Sequence, residues 1–174
     1  MKLFTAVEDY MATGDRKDDV SCFLAGGITN CPEWQDAVIK DIRSMDEDTK
    51  NLVLFNPRRK NFPIHDPNAS NEQIAWEFQY LEYCNIFSMY FCAGESDQPI
   101  CMYEMGRNIV RMQQKYVNDW KDRIIISVES GYKRFQDVII QCKLAGIDNV
   151  IVDKGYRAHA EAIVKAYKRK GETT

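Results

Sequence analysis

Glu104 has the most unusual setting among the acidic residues, because a glycine follows it two positions later inside a segment that predicts a helix. The segment, residues 99–110 (PICMYEMGRNIV), begins with Pro99, a favourable first helical residue. Its apolar residues recur at helical spacing and predict one inward face: Ile100, Tyr103 and Ile109. Glycine costs a helix about 1 kcal/mol relative to alanine. Gly106 therefore either lets another backbone come close or leaves room for a ligand to approach Glu104, which makes Glu104 a candidate for catalysis.

Two loops that follow apolar runs carry further candidate residues. Gly26 and Gly27 let a ligand approach the backbone closely, although a tight turn into a helix capped near Asn30 explains them equally. Arg58 and Arg59 follow the second run and can hold an anion or remain a solvated pair.

Acidic residues lie near the proposed catalytic helix. Glu95 and Asp97 precede its start, where the helix dipole favours acidic residues, so capping competes with a chemical role. Glu77 lies beside Trp76 on an amphipathic segment, a pattern typical of a helix that is half core and half surface.

Short apolar runs alternate with amphipathic segments along the chain. The runs predict five strands, at residues 20–27, 51–57, 85–94, 122–130 and 149–155. The segments between and after them predict helices, at residues 33–45, 71–84, 99–110, 132–146 and 156–170. This alternation predicts an α/β fold, a single doubly wound, flavodoxin- or Rossmann-like domain with a five-stranded, mostly parallel sheet. We expect the domain at 20–170, after an irregular or partly helical lead-in at 1–19. Ligands of such sheets bind beyond the carboxyl ends of the strands.

Composition excludes several classes of protein. The 174 residues are 45% hydrophobic and 28% charged, with a net charge of −3, which disfavours binding to polymeric nucleic acid. Neither a dinucleotide nor a P-loop fingerprint occurs, so we expect no cofactor of those kinds. Without a signal-like start or a run of 18 apolar residues, we expect no membrane association and a cytoplasmic location.

The six cysteines carry no metal-binding or disulfide pattern. None forms a C-x-x-C pair, and three fall in or beside the apolar runs: Cys22, Cys84 and Cys92. We therefore expect free, mostly buried thiols and no metal site.

Four motifs together resemble one enzyme superfamily. FLAGGITN with Trp34, FNPRR, QIAWEFQYLEYCNIFSMYF and PICMYEMGRNIV occur in the order and spacing of the nucleoside 2-deoxyribosyltransferase-like superfamily, over residues 20–128. That superfamily includes the 2'-deoxynucleoside 5'-phosphate N-hydrolases. The resemblance implies the same doubly wound fold, small nucleoside or nucleotide and nucleobase substrates, no cofactor, and a homo-oligomer.

The resemblance also implies roles for individual residues. The glutamate of the last motif, Glu104, would be the nucleophile that attacks C1' of the sugar, and its early helical position is expected to keep it ionised. Gly106 would leave room for the sugar, and Glu77 and Asp97 would position groups or donate a proton. The substrate-binding residues would be Gly26, Gly27, Asn30, Trp34, Asn56, Arg58, Asn85 and Gly106.

Two departures from the superfamily leave alternatives open. The family aspartate that protonates the leaving base would fall at Asn85, and an amide supplies no proton at neutral pH. The nucleotide hydrolases carry an arginine in the first loop, whereas GGITNCP has none, so a nucleoside is favoured over a nucleotide. The sequence predicts deoxyribosyl transfer between bases. The alternatives are hydrolysis of nucleoside 5'-phosphates and a non-catalytic nucleotide-binding module.

Overall fold

The computed structural model describes residues 1–63 and 65–171. The strands are β1 (Lys2–Thr5), β2 (Val20–Gly26), β3 (Leu52–Asn56), β4 (Ile86–Phe91), β5 (Ile124–Val128) and β6 (Ile151–Val152). The α-helices are α1 (Trp34–Ser44), α2 (Ala69–Tyr83), α3 (Pro99–Lys115), α4 (Phe135–Leu144) and α5 (Gly155–Gly171). Short 3₁₀ helices span Tyr10–Ala12 and Trp120–Arg123. The predicted α/β, doubly wound architecture is confirmed.

The strands form one sheet in the order β1-β3-β2-β4-β5-β6, and every neighbouring pair is parallel. The chain lays β3 on one side of β2 and then crosses to place β4 on the other side. The strand order therefore reverses at β2, and a crevice opens beyond the carboxyl ends of β2 and β4. Gly26, at the end of β2, lies opposite Tyr90 of β4 in the ladder.

Both faces of the sheet are covered by helices because strand residues alternate between two apolar clusters. Phe23, Phe55 and Phe87 pack with α2, α3 and α4 on one face. Leu24 and Leu54 pack with α1 and α5 on the other face. Each large apolar side chain buried in this way contributes about 1.5–3 kcal/mol to folding. The two layers hold the strand ends, and the loops that follow them, in fixed positions.

The predicted lead-in needs a correction, because the described residues form six strands and not five. Lys2–Thr5 make a parallel edge strand, with Leu3 opposite Leu54 of β3. The strand is only four residues long and its side chains are partly or fully exposed, so it lacks the apolar run that marks the inner strands. The 3₁₀ helix at Tyr10–Ala12 fits the expected partly helical character of the segment.

No helix among residues 1–63 and 65–171 has the length and apolar character needed to cross a bilayer.

Candidate active site

A cavity of about 480 Å³ lies at the switch point of the sheet. The end of β2, the loop after it, α2 and the first turns of α3 form its walls. Four of the residues singled out from the sequence line it: Gly26, Gly27, Glu77 and Glu104. The structure thus brings two carboxylates and the paired glycines to one cavity large enough for a nucleoside-sized ligand.

The two carboxylates of the cavity come from different helices and influence each other. The pKa of Glu104 is raised from 4.5 to about 7, chiefly by burial and in addition by the nearby charge of Glu77, while Arg107 opposes the rise. Burial also raises the pKa of Glu77, although Gln73 Nε2 donates a hydrogen bond to its Oε1 at 2.9 Å. Burial and the like charge therefore make Glu104 harder to ionise than its early helical position led us to expect.

Such a pair can divide acid and base work between its members. One carboxyl can remain protonated near neutral pH while the other is ionised, since two like charges in a partly dry cavity resist ionising together. The ionised member can act as a nucleophile or base, and the protonated member as an acid.

Arg107 is the basic side chain that lines the cavity among the described residues, and it is already engaged. It forms an ion pair with Glu82, and its guanidinium lies 4.0 Å from the centre of the Phe78 ring. It therefore has limited capacity to compensate an additional negative charge on a ligand.

The rim of the cavity is apolar and faces outward. Ile100 and Tyr103 were predicted to face the core, but they are 63% and 65% exposed. Ile74 and Phe78 of α2 are also largely exposed beside them. The helical spacing was correct for α3, but part of its apolar stripe borders the cavity and not the core.

The loop after β2 is held by Trp34, which lies beneath the cavity and not in it. Trp34 is fully buried, stacks on Tyr90 at a centroid distance of 5.2 Å and donates from Nε1 to the Gly27 carbonyl at 3.0 Å. A side chain on Gly26 would place its Cβ 2.6 Å from the Trp34 ring and 2.4 Å from the Tyr90 carbonyl oxygen. Gly26 is thus required by close packing, in a conformation with φ of +149°.

Gln98 and Cys101 are among the cavity residues that sequence reasoning missed. Gln98 caps α3 in a left-handed conformation with φ of +45°, is 4% exposed, and donates from Nε2 to the Cys92 carbonyl at 2.9 Å. Its Oε1 is buried without a hydrogen-bond partner. Cys101 is buried close to both glutamates, and its thiol pKa is raised to about 12, chiefly by burial. The residue before a proline signals a helix boundary, but that signal gives no indication of a ligand contact.

Asp97 is not brought to the cavity. Its carboxylate is 69% exposed and lies 3.5 Å from Lys133 Nζ, while its carbonyl accepts a hydrogen bond from the Tyr132 hydroxyl at 2.8 Å. These contacts tie the loop before α3 to the loop after β5. Gln98 is the N-cap of α3, and the helix start has no side-chain cap hydrogen bond, so neither the expected capping by Asp97 nor a proton-donating role is seen.

Four further predicted binding residues lie around the cavity without lining it. Asn30 is exposed in the loop with φ of +57°. Asn56 is 3% exposed and accepts from the Arg58 backbone N–H at 3.0 Å, and the Arg58 side chain contacts the loop after β2. At Gly106, an added Cβ would meet no atom within 4 Å. No other backbone therefore packs closely against Gly106, and the space beside it is open.

No group of three or more His, Cys, Asp or Glu residues within the described chain is arranged to bind a metal ion. All six cysteines are free thiols, of which Cys31 alone is partly exposed.

A family model described as nucleoside 2-deoxyribosyltransferase like matches residues 19–123. The chain belongs to the nucleoside 2-deoxyribosyltransferase-like family. A search among curated proteins gives no match. All residues that line the cavity fall inside the matched region, which ends just before β5. The later strands, β5 and β6, complete the sheet, and α4 and α5 pack on its two faces.

The prediction for Asn85 needs a correction. Asn85 was expected to bind substrate at the position of the family's proton-donating aspartate. Asn85 precedes β4, so it lies at the amino end of the strand, opposite the edge that carries the cavity. Its side-chain oxygen accepts from Ser21 N at 3.0 Å and its Nδ2 donates to the Tyr116 hydroxyl at 3.1 Å. Asn85 therefore connects the beginnings of β2 and β4 and lies away from the cavity. The carboxylate that shares the cavity with Glu104 is Glu77.

Proposed function

We propose that this protein cleaves the N-glycosidic bond of a deoxynucleoside through Glu104 and transfers the deoxyribosyl group to another nucleobase. The proposal rests on one observation: Glu104 and Glu77 line the same cavity, at the switch point of a sheet whose chain belongs to the nucleoside 2-deoxyribosyltransferase-like family. The family and the fold support the class of reaction, and the paired carboxylates support the mechanism.

In the first half-reaction, a carboxylate oxygen of Glu104 attacks C1' of the sugar as the bond from C1' to the base nitrogen breaks. The bonding electrons leave with the base, and the Glu77 carboxyl donates its proton to the base. The product is a glycosyl ester on Glu104. Burial raises the pKa of both glutamates, and the charge of Glu77 adds to the rise at Glu104, so the pair can retain one proton between its members. The proposed step requires that this proton lies on Glu77 and the negative charge on Glu104.

In the second half-reaction, a nitrogen of another base attacks C1' from the face that the first base left. The ester bond to Glu104 breaks, its electrons return to the carboxylate, and Glu77 accepts the proton of the incoming base. Two displacements at C1' retain its configuration, as in retaining glycosidases. Water in place of the second base would give free deoxyribose.

The charge of the cavity favours a nucleoside over a nucleoside 5'-phosphate as substrate. Glu77 and Glu104 are acidic, and Arg107 is paired with Glu82 and lies on Phe78. A phosphate dianion would add charge to a site with little free positive charge to receive it.

The apolar rim supports the expected homo-oligomer. Ile74, Phe78, Ile100 and Tyr103 are each more than half exposed beside the cavity, and clusters of this kind mark interaction surfaces. A second copy of the chain seated on the rim would also shield the cavity from water. The molar mass measured by light scattering after size-exclusion chromatography tests this proposal. A monomer at all protein concentrations would contradict it.

A product analysis tests the proposed activity. The protein is incubated with each deoxynucleoside or deoxynucleoside 5'-phosphate, with and without a second free base, and the products are separated. A new deoxynucleoside in the presence of the second base is the expected result. Free sugar or sugar phosphate in all mixtures would instead identify a hydrolase, and unchanged substrates would identify a binding module.

A further inference from the structure

The segment between β2 and α1, residues 27–33, forms one wall of the cavity through Gly27, Ile28 and Thr29. Within the segment, Cys31 N donates a turn hydrogen bond to the Ile28 carbonyl at 3.3 Å. A loop that turns this tightly leaves carbonyl oxygens in need of donors from elsewhere. The source of those donors decides how firmly the wall is held.

One guanidinium nitrogen, which carries two N–H groups, lies within 3.5 Å of four of these carbonyl oxygens. Nη2 of Arg58 lies 2.8 Å from the Pro32 carbonyl oxygen, 3.3 Å from that of Ile28, 3.4 Å from that of Cys31 and 3.5 Å from that of Gly27. Hydrogen bonds from a charged donor are stronger than those between neutral groups. The four carbonyl oxygens therefore converge on a single positive centre.

The Arg58 side chain is itself fixed from two directions. Its Nε donates to Gln35 Oε1 at 2.9 Å, and Gln35 is fully buried in the first turn of α1. Its backbone N–H donates to Asn56 Oδ1 at 3.0 Å, and Asn56 ends β3. A planar guanidinium with Nε and Nη2 both engaged has a defined orientation, which the point charge of a lysine would not reproduce.

From these contacts we propose that Arg58 is a positioning residue: it gathers four carbonyl oxygens of the segment after β2 and so holds the cavity wall that faces the two glutamates. The four belong to Gly27, Ile28, Cys31 and Pro32. The proposal rests on the proposed function for the substrate that the wall contacts. It replaces the expectation that Arg58 binds an anion, because four carbonyl oxygens around Nη2 make its surroundings electronegative and unfavourable for a phosphate.

Kinetics of Arg58→Lys and Arg58→Gln test the proposal with an uncharged deoxynucleoside as substrate. The wall contacts the substrate in the ground state and the transition state alike, so its displacement should lower kcat/KM mainly by raising KM. Misplacing a substrate by an ångström can lower the reaction rate by about 10²-fold, so we expect kcat/KM to fall by about 10- to 100-fold. The lysine variant keeps the charge, so it stays informative if the glutamine variant folds poorly. Lys60→Gln, an exposed position in the same loop, is the control for charge.

Two readouts separate positioning from anion binding. Hydrogen–deuterium exchange of the peptide that covers residues 26–33 should accelerate in both Arg58 variants and not in Lys60→Gln. Inhibition by inorganic phosphate and by 2-deoxyribose 5-phosphate should keep its wild-type strength.

Three outcomes would overturn the proposal. They are wild-type kinetics in Arg58→Lys, unchanged exchange in the loop, or a defect confined to inhibition by the two phosphates. A wild-type protein that turns over no nucleoside would contradict the proposed function instead, and the exchange measurement would still decide whether Arg58 holds the loop.

Discussion

Replacing the proposed nucleophile should stabilise the protein, and only above acidic pH. Glu104→Gln removes an ionisable group whose pKa is raised in the folded state, chiefly by burial. When the folded protein holds a proton more tightly than the unfolded chain does, ionisation of that group favours unfolding. The cost is absent below the unfolded pKa, grows between the two pKa values and is complete above the folded one.

The size of the effect follows from the rise in the pKa of Glu104. The pKa rises from 4.5 to about 7. At about 1.4 kcal/mol per pH unit, this sets an upper bound of about 3 kcal/mol on the gain in free energy of unfolding that Glu104→Gln can give. Because Glu104 is partly exposed, solvent screening reduces this, and we expect about 1–3 kcal/mol at pH 8. For a chain of 174 residues, each kcal/mol raises Tm by about 2–4 °C.

Chemical denaturation of the wild type and Glu104→Gln at pH 8 and pH 4.5 measures the effect. The variant should be clearly more stable at pH 8 and within about 0.4 kcal/mol of the wild type at pH 4.5, where the unfolded chain is half ionised. Comparison at the same pH cancels the titration of other groups. Glu161→Gln makes the same chemical change at an exposed position of α5 and serves as the control. Equal stability of Glu104→Gln and the wild type at both pH values would refute the placement of Glu104 in a desolvating cavity.

Three other changes test separate parts of the structure. The titration of Glu104 near pH 7 should move to lower pH in Glu77→Gln because a like charge is lost, measured from the carbonyl band of its protonated carboxyl in infrared difference spectra; an unmoved titration would show that the carboxylates do not interact. Gly106→Ala should add about 0.5–1 kcal/mol of stability and leave turnover intact, since a Cβ meets no atom there; lost turnover would restore a role for Gly106 in accommodating the sugar. Burial lowers the pKa of His159 from 6.5 to about 3, so stability should fall by about 2 kcal/mol between pH 7 and pH 5 relative to His159→Gln, measured by urea unfolding; parallel pH profiles would contradict this.

The fold was largely predictable because its signals are local. Each inner strand is a continuous apolar run, because parallel strands between two layers of helices are buried on both faces. The alternation of strands and helices could therefore be predicted from the sequence. The edge strand Lys2–Thr5 was missed because an exposed edge imposes no such run. Its position depends on pairing with β3, which is a tertiary contact.

The candidate site was predictable only in part. Gly26 and Gly27 were predictable because they stand at the end of an apolar strand. Glu104 was predictable because it lies in a family motif. The approach of Glu77 to Glu104 depends on how α2 and α3 flank the crevice, which no spacing of residues encodes. Asn85 was misplaced because its motif position was considered without the edge of the sheet at which a strand begins.

Covalent trapping at Glu104 is the most direct test of the central claim. A 2-fluoro-2-deoxyribosyl nucleoside should slow release of the ester, because fluorine destabilises the positive charge that develops at C1'. Intact mass followed by peptide mapping should place one added sugar on the peptide that contains residues 102–107, and Glu104→Gln should acquire none and lose nearly all turnover. An adduct on another peptide, or a Glu104→Gln variant that turns over at nearly the wild-type rate, would contradict the account.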